Sequence, residues 1–244
     1  MRGTVVIDAL PERAGRYVAD HAVVAIDVIR ATTTAVTVAT LGRRCFPVAS
    51  IADALRLRAW LGDALLGGEL NGDMPAGFDV GNSPAALAAR DDVDRPLILL
   101  SSSGTRLIHA VREADAVYVA CLRNAAAVAR YLVGRHRRIA VIGAGSRGEF
   151  RREDQVCCAW IAAALVEAGY EPADGRTARL VARRGAAPAA ACDGGRSADY
   201  LRRTGQVDDL DFVLTHENDV DEVFALADGE VVAVSGGRKA ALGR

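Results

Sequence analysis

The stretch VVAIDVIRATTTAVTVATL, residues 23–41, decides the fold. Residues 23–26 form an unbroken apolar run of strand length, which is typical of a strand covered on both faces, as in a parallel sheet. Residues 34–41 combine Ala, Val and Thr into a predicted helix, and Gly42 then offers the left-handed conformation that helix C-termini often need. The stretch therefore predicts a strand, a turn and a helix of an α/β protein.

The turn between this strand and this helix carries polar chemistry. It contains the carboxylate of Asp27, the guanidinium of Arg30 and the hydroxyls of Thr32, Thr33 and Thr34. Ligands of open α/β sheets bind outside the carboxyl ends of the strands, and a helix N-terminus favours an anion. We expect an anion at this turn. The alternative is that Asp27 pairs with Arg30 while the threonines only cap the helix.

Composition excludes several classes of protein. Thirty basic and thirty-one acidic residues give a net charge of −1, so neither a nucleic acid nor an anionic membrane surface is an expected partner. The length of 244 residues allows one or two domains, and we take the chain as a single α/β domain with a looser region over residues 171–244. Both a monomer and a homodimer are compatible with the sequence.

Cysteine usage and hydropathy indicate the compartment. The five cysteines form no Cys-x-x-Cys pair and do not cluster with the four histidines, which disfavours a zinc site or a disulfide framework. We find no signal peptide at the N-terminus and no run near the roughly 18 apolar residues of a membrane span. A cytoplasmic location fits best.

Strand and helix patterns alternate along most of the chain. Glycine-rich residues 65–82 are predicted as a loop, and residues 235–244 as a frayed tail. The predicted strands cover residues 4–7, 23–26, 45–49, 97–100, 117–120, 139–142, 212–214 and 231–234. The predicted helices cover residues 34–41, 51–61, 84–90, 125–132 and 152–168.

Three further strands end in polar or glycine-bearing turns. Turns after parallel strands gather at one edge of a sheet, so we expect these turns to share a cleft with Asp27. The residues concerned are Ser101, Ser102, Ser103, Gly104 and Thr105 after one strand, Arg123 and Asn124 after the next, and Gly145 and Ser146 after the third.

The segment GAGSRG, residues 143–148, imitates a dinucleotide-binding fingerprint. Four residues intervene before convincing helical periodicity, and no second strand ending in an acid follows about twenty residues later. We therefore favour an anion-facing turn and keep a nicotinamide-dependent enzyme as an alternative hypothesis.

Several phosphate chemistries lack their residues here. Asp27 has no second aspartate two positions later, no Gly-x-x-x-x-Gly-Lys occurs, and no cysteine is followed by arginine six positions later. The remaining candidates are carboxylates, and hard oxygen ligands of this kind suit Mg²⁺ together with a substrate phosphate. These acids are Asp27, Glu69, Asp79, Glu153 and Asp154.

Six segments together resemble the 2-phosphosulfolactate phosphatase family. They are VVAIDVIRATTTAVTVATLG, GELNG, GFDVGNSP, LILLSSSGTRLI, CLRNAAAVARYL and GAGSRGEFRREDQVCCAW, in the family's order and spacing. The resemblance implies a three-layer α/β/α fold with a largely parallel or mixed central sheet. It also implies a cytosolic Mg²⁺-dependent hydrolase that removes phosphate from a small phosphorylated hydroxy acid.

The polar turns and the family resemblance together give a set of expected site residues. We expect Asp27, Glu69 and Asp154 to hold Mg²⁺, and Arg30 to act with them on the phosphate. The residues expected to bind the phosphorylated metabolite are Thr32, Thr33, Asn82, Ser102, Ser103, Gly104, Thr105, Arg123, Asn124, Gly145 and Ser146.

Three departures from the family's pattern concern the substrate. Leu70 stands where the family has an arginine beside the loop glutamate, Ser103 replaces an asparagine, and Arg123 replaces a neutral residue. The chemistry could therefore act on another metabolite, such as a sugar phosphate or a nucleotide. A non-catalytic binder of phosphorylated ligands is the remaining hypothesis.

Overall fold

The strand at the centre of the opening stretch, β2 (Ala22–Ile26), is buried along its whole length. Val24 and Ile26 pack into the hydrophobic cluster on one face of the sheet, whereas Val23 and Ala25 pack into the cluster on the other. Side chains alternate between the two faces of a strand, so a strand covered on both sides needs an unbroken apolar run. The computed structural model describes residues 3–234.

The described residues contain ten strands and ten α-helices. The strands are β1 (Thr4–Ala9), β2, β3 (Cys45–Val48), β4 (Leu65–Gly68), β5 (Leu97–Leu100), β6 (Ala116–Ala120), β7 (Arg138–Gly143), β8 (Glu171–Pro172), β9 (Phe224–Ala227) and β10 (Glu230–Ala233). The helices are α1 (Pro11–Ala14), α2 (Ala31–Thr40), α3 (Ile51–Leu61), α4 (Pro84–Ala88), α5 (Gly104–Ala110), α6 (Ala125–Leu132), α7 (Arg152–Glu167), α8 (Gly175–Arg184), α9 (Arg196–Arg203) and α10 (Val207–Thr215).

All ten strands belong to one mixed sheet in the order β4-β5-β3-β10-β9-β6-β2-β7-β1-β8. Strands β4, β5 and β3 are parallel to one another, and so are β6, β2, β7, β1 and β8. The hairpin of β9 and β10 joins these two groups through antiparallel pairs. The predicted largely parallel or mixed sheet is confirmed.

Helices cover both faces of the sheet. One cluster packs α6, α7 and α8 against β1, β2 and β7, and the opposite cluster packs α1, α2 and α5 against the other face. A smaller cluster lies between α3 and strands β3, β4 and β5. These layers are those of a three-layer α/β/α fold, as the sequence predicts.

Serine side chains cap two of the helices that the sequence predicts. Ser50 accepts a hydrogen bond from the amide of Asp53 at 3.1 Å and begins α3, and Ser83 accepts one from the amide of Ala86 at 3.0 Å at the start of α4. Helix α2 begins at Ala31, three residues earlier than predicted.

The prediction of a loop over residues 65–82 is wrong at its start, where β4 lies. Gly67 packs so tightly that a β-carbon there would lie 3.1 Å from Val80 and would overlap Leu97, and one at Gly68 would overlap the backbone of Leu100. These glycines therefore serve close approach inside a sheet, although glycine density indicated a loop.

The prediction of a strand over residues 212–214 is also wrong, because these residues belong to α10. Leu210 and Val213, three residues apart, form its buried face, and Asp208 lies in its first turn. An apolar run of three residues cannot distinguish a helix from a strand. The predicted frayed tail lies outside the described residues.

The C-terminal region is tied to the rest of the fold by specific contacts. Thr177 in α8 accepts a hydrogen bond from the amide of Ile7 in β1 at 3.0 Å. Strand β9 pairs with β6, and β10 pairs with β3, so this region completes the sheet. Helix α9 then lines the cavity of the candidate site, and α10 packs against α9 and α4.

Candidate active site

A cavity of about 720 Å³ opens at the carboxyl ends of β2, β4, β5 and β7. The turns after these strands contribute Asp27 and Arg30, Glu69, Ser102 and Gly145, respectively, to its wall. The prediction that polar turns gather at one place is confirmed for β2, β5 and β7.

Asp27 lies at the end of β2 and is 7% exposed. Its amide donates to Oγ1 of Thr32 at 2.8 Å, which fixes the turn. Gly104 packs directly against it, since a β-carbon at Gly104 would overlap Oδ2 of Asp27. The hydroxyl of Thr32 and the missing side chain of Gly104 therefore fix the position of Asp27.

Burial raises the pKa of Asp27 to about 7, and the negative charges of Glu69 and Glu153 act in the same direction. The amide of Ala31 and the charge of Arg30 oppose this rise without cancelling it. Removal from water and the nearby carboxylates therefore outweigh the favourable contacts of the Asp27 carboxylate.

Glu69 is held by two loops at once. Its Oε1 accepts from the amide of Ser102 at 2.7 Å, and its Oε2 accepts from the amide of Gly72 at 2.7 Å and from Oγ of Ser102 at 3.1 Å. These bonds use three of the roughly four lone-pair sites of the carboxylate, so Oε1 can still accept another bond or bind a cation.

Asp154, in the first turn of α7, fastens two turns from behind the cavity. Its Oδ1 accepts from the amide of Val28 at 3.0 Å, and its Oδ2 accepts from the amide of Gly145 at 2.9 Å. Burial raises the pKa of Asp154 well above its usual value, and the charge of Asp27 adds to this effect. Asp154 is 2% exposed.

Arg30 is oriented by the C-terminal region. Its Nη1 donates to Oε1 of Gln206 at 2.6 Å and to Oδ2 of Asp209 at 2.5 Å. Oδ1 of Asp209 accepts from Oγ of Ser83 at 2.6 Å and from the amide of Ala85 at 3.2 Å. The alternative that Arg30 uses its bonds on Asp27 therefore does not hold in this structure.

Some predicted phosphate-binding hydroxyls bond to nearby backbone instead. Oγ1 of Thr32 and Oγ1 of Thr33 donate to the carbonyl oxygens of Asp27 and Val28 at 2.9 and 2.8 Å. Oγ1 of Thr105 donates to the carbonyl oxygen of Ser101 at 3.1 Å. These threonines shape the turns from within.

The other predicted ligands divide by position. Gly104 lies behind the wall, against Asp27. The predicted residues that line the cavity besides Asp27, Arg30 and Glu69 are Asn82, Ser102, Ser103, Gly145 and Ser146.

The turn after β6 is engaged elsewhere. Arg123 donates to Asp219 at 2.6 Å and to Oγ1 of Thr37 at 3.0 Å, and its guanidinium lies over the ring of Phe212. Asn124 accepts from the amide of Cys121 at 3.0 Å. Arg123 stabilises the packing of the C-terminal segment, whereas Asn124 fixes its own turn. The predicted convergence fails for this turn because its side chains find partners outside the cavity.

A model of the family described as 2-phosphosulpholactate phosphatase matches residues 8–228. The chain belongs to this family. The family's description is that of a phosphatase, a phosphoric monoester hydrolase, and it confirms both the resemblance and the enzyme class predicted from the sequence.

Relatives named probable 2-phosphosulfolactate phosphatase resemble the chain over most of its length. One from Clostridium perfringens (strain 13 / Type A) is 30% identical over 223 residues, which cover 88% of this chain and 90% of the relative. One from Deinococcus radiodurans is 35% identical over 211 residues, which cover 84% of this chain and 86% of the relative. The family match over residues 8–228 includes every residue that lines the cavity.

In this phosphatase-family chain, α9 forms a wall of the cavity that sequence reasoning missed. Its cavity-lining residues Arg196, Tyr200 and Arg203 recur at the i, i+4 and i+7 spacing of one helix face, and this spacing could have revealed them. Gly72 packs so closely that a β-carbon there would overlap the hydroxyl of Tyr200, so α9 rests directly on the loop that carries Glu69.

The segment that imitates a dinucleotide fingerprint is a tight hairpin. The amide of Ser146 donates to the carbonyl of Glu149 at 2.9 Å and the reverse bond measures 3.0 Å, with Arg147 and Gly148 both at positive φ. Helix α7 begins only at Arg152. The amide of Gly145 is already occupied by Asp154, so this turn is not a free pyrophosphate cradle.

The donors at the cavity fit Mg²⁺ in the mode that this ion prefers. Within residues 3–234, no three Asp, Glu, His or Cys side chains converge as a ready-made metal cage. Mg²⁺ is usually bound by one or two carboxylates together with waters and a substrate phosphate. Asp27 and Glu69 line the cavity and repel one another, and a divalent cation bound between them would relieve this repulsion.

No described helix is long and apolar enough to cross a membrane.

Proposed function

We propose that the protein is a Mg²⁺-dependent phosphatase that hydrolyses a small phosphorylated acid of the 2-phosphosulfolactate type. The observation that carries this proposal is the placement of Asp27, Glu69 and Arg30 on the wall of one cavity. Two carboxylates suit a hard cation, and a guanidinium suits a phosphate. Membership of the family and the names of the relatives support the same chemistry.

Asp27 and Glu69 are the residues that would hold the ion. Bound there, Mg²⁺ would neutralise charge on the phosphoryl group and polarise it toward attack. The chain keeps both carboxylates in place: Ser102 and Gly72 hold Glu69, and Gly104 makes room for Asp27. We assign Asp154 an indirect contribution, because both of its oxygens accept from backbone amides and it does not line the cavity. Its role as a metal ligand stays a prediction.

The phosphate is bound by donors on the cavity wall. Arg30 supplies charge-assisted hydrogen bonds, which are about twice as strong as neutral ones. Asn82 accepts from Oγ1 of Thr34 at 2.8 Å through Oδ1, which leaves its Nδ2 as the donor toward a ligand. Ser103 also lines the cavity and adds a hydroxyl.

A second anionic group of the substrate is met by arginines at the cavity. Arg147 and Arg203 line it and form no ion pair with any residue that the structure describes. Arg196 and Arg151, in contrast, both bond to Glu149. Free guanidiniums beside the phosphate site favour a phosphorylated acid over a sugar phosphate, which has no charged group besides its phosphate.

The structure bears differently on each of the three alternative functions. A phosphatase of the same family acting on a sugar phosphate or a nucleotide would use the same carboxylates. Arg147 and Arg203 argue only against a substrate whose single anionic group is the phosphate. A nicotinamide-dependent enzyme is disfavoured by the hairpin at residues 146–149. A non-catalytic binder would retain the phosphate site without turnover.

All five cysteines are buried free thiols within the described residues. Such thiols persist in a reducing compartment. We therefore extend the proposal to the cytoplasm as the place where the enzyme meets its phosphorylated substrate.

The test is phosphate release from a panel of 2-phosphosulfolactate, other small phosphorylated acids, sugar phosphates and nucleotides, with Mg²⁺ or EDTA. We expect release from phosphorylated acids only with Mg²⁺. We also expect a higher kcat/KM for them than for phosphate monoesters that carry no second anionic group. Preference for sugar phosphates or nucleotides would support the same-family alternative, and a lack of release from all members would support the binder. The surface variant Asp221→Asn, whose side chain is 93% exposed, is the control.

A further inference from the structure

The guanidinium of Arg30 is half engaged by the protein. A guanidinium has five N–H donors, and Nη1 uses its two on Gln206 and Asp209 at 2.6 and 2.5 Å. Among the described residues, none accepts a hydrogen bond from Nε or Nη2 of Arg30. The side chain is 6% exposed and lines the cavity, and neither nitrogen is among the buried atoms without a partner, so the three remaining donors are available to a ligand in the cavity.

Two of these three donors, Nε–H and one N–H of Nη2, lie along one edge of the guanidinium. Nε and Nη2 lie side by side in a plane, and this edge matches two oxygens of a phosphate in a bidentate pair. The usefulness of that edge depends on the rotation of the guanidinium plane. The two acceptors on Nη1 fix this rotation from the opposite side.

Asp209 is itself rigidly held. Its Oδ1 accepts from Oγ of Ser83 and from the amide of Ala85, while its Oδ2 faces Arg30. It is 4% exposed and lies in the first turn of α10, 179 residues from Arg30 along the chain. One O–H donor and one N–H donor therefore orient the carboxylate of Asp209, and this carboxylate orients the guanidinium of Arg30.

We infer that Asp209, with Gln206, is the positioning residue for phosphate binding: it holds Nη1 of Arg30 so that Nε and Nη2 present a bidentate edge to the phosphate. This inference rests on the proposed function in taking the ligand of Arg30 to be a phosphate. It makes α10 part of the active site, although α10 does not touch the substrate.

A purely structural ion pair would look the same in the structure but behave differently. Loss of a structural pair lowers stability without changing phosphate affinity in the molecules that remain folded. Loss of a positioning residue weakens phosphate binding and raises KM, because Arg30 contacts the phosphate both in the ground state and in the transition state.

The experiment measures binding of inorganic phosphate by calorimetry in the presence of Mg²⁺. We expect Asp209→Asn and Arg30→Ala each to weaken binding by about tenfold or more. The double variant should bind within about twofold of Arg30→Ala, since Asp209 acts only through Arg30. Steady-state kinetics should show a higher KM at nearly unchanged kcat for Asp209→Asn.

A matched control comes from a second arginine–aspartate pair. Nη2 of Arg43 donates to Oδ1 of Asp92 at 2.8 Å, and the Arg43 side chain is fully buried outside the cavity. Asp92→Asn should lower the melting temperature while phosphate affinity stays within about twofold of wild type. Should Asp209→Asn not fold, Gln206→Ala, which removes the other acceptor from Nη1, should weaken binding about threefold.

Three results would overturn the inference: wild-type affinity in Asp209→Asn or in its substitute Gln206→Ala, additive losses in the double variant, or no phosphate binding by the wild type. Phosphate binding needs no turnover. The expected pattern in a protein that hydrolyses none of the tested esters would therefore refute the proposed function and leave the positioning role of Asp209 intact.

Discussion

Gly104 lies against Asp27 so closely that a β-carbon at position 104 would overlap Oδ2 of the carboxylate. The helix α5 thus begins with a residue whose missing side chain leaves the space that Asp27 occupies. Because Asp27 is the proposed metal and substrate centre, this packing relationship links the end of β5 to the chemistry at the end of β2.

Gly104→Ala should displace Asp27 and lower kcat/KM by about 100-fold, since a misplacement near 1 Å has this effect on a positioned group. The measurement is phosphate release under Mg²⁺. Gly15→Ala is the control, because a β-carbon at Gly15 meets nothing within 4 Å and should leave kcat/KM unchanged. Equal kinetics for the two variants would contradict the proposed role of Asp27.

Asp154→Asn should lower the free energy of unfolding by about 1–3 kcal/mol. Both oxygens of Asp154 accept backbone amides, and asparagine can satisfy only one of them while its own amide faces the other donor. Denaturant unfolding with Asp221→Asn as control measures the change. If the free energy of unfolding stayed constant while Mg²⁺ affinity fell, Asp154 would be a ligand, as the sequence first indicated.

The raised pKa of Asp27 predicts a pH-dependent stability in the absence of metal. Its pKa is about 7 when folded and near 3.8 when unfolded, so the folded state binds more protons between these values. The free energy of unfolding should therefore fall as pH rises from about 4 to 7. Asp27→Asn should flatten this slope in EDTA.

Saturating Mg²⁺ should flatten the same slope in the wild type, because the cation favours the charged carboxylate. Chemical denaturation at several pH values, with Mg²⁺ or EDTA, measures both effects without any enzyme assay. A slope that Mg²⁺ leaves unaltered would argue against metal binding by Asp27.

Arg147→Gly should improve stability and harm substrate binding. Arg147 has φ of +52° at the tip of its hairpin, a conformation that costs a residue with a β-carbon roughly 1–2 kcal/mol. Its replacement by glycine should recover part of this energy and raise KM for a phosphorylated acid several-fold. KM for a phosphate monoester without a carboxylate or sulfonate should change less, because only the acid brings a second anionic group.

The matched control is Asp228→Gly in the hairpin between β9 and β10. Asp228 and Gly229 have φ of +50° and +80°, close to the angles of Arg147 and Gly148. This substitution should give a comparable gain in melting temperature with unchanged KM for both esters. A KM effect of equal size in both variants would show that Arg147 acts through the backbone rather than through its charge.

The sequence predicted the layers and the centre of the site for clear physical reasons. The apolar run of β2 needed cover on both faces, and the parallel strands then brought Asp27, Glu69, Ser102 and Gly145 to one edge. Glycines in β4 and the short apolar run of α10 were misjudged because close packing and tertiary burial, not local preference, decide those segments.

Two features of the site could not be predicted from the sequence: the local hydrogen bonds of its threonine hydroxyls and the distant partner of Arg30. Thr32, Thr33 and Thr105 look free in a sequence, but each bonds to backbone within five residues. The pairing of Arg30 with Asp209 spans 179 residues and carries no sequence pattern. Neither feature can be derived from residue type and spacing alone.

The most direct test of the central claim is phosphate release from 2-phosphosulfolactate by wild type and Asp27→Asn, each with Mg²⁺ and with EDTA. The account predicts release by the wild type with Mg²⁺, loss of that release in EDTA, and a fall of at least about 100-fold in kcat for Asp27→Asn. Release that is indifferent both to EDTA and to the substitution would contradict it.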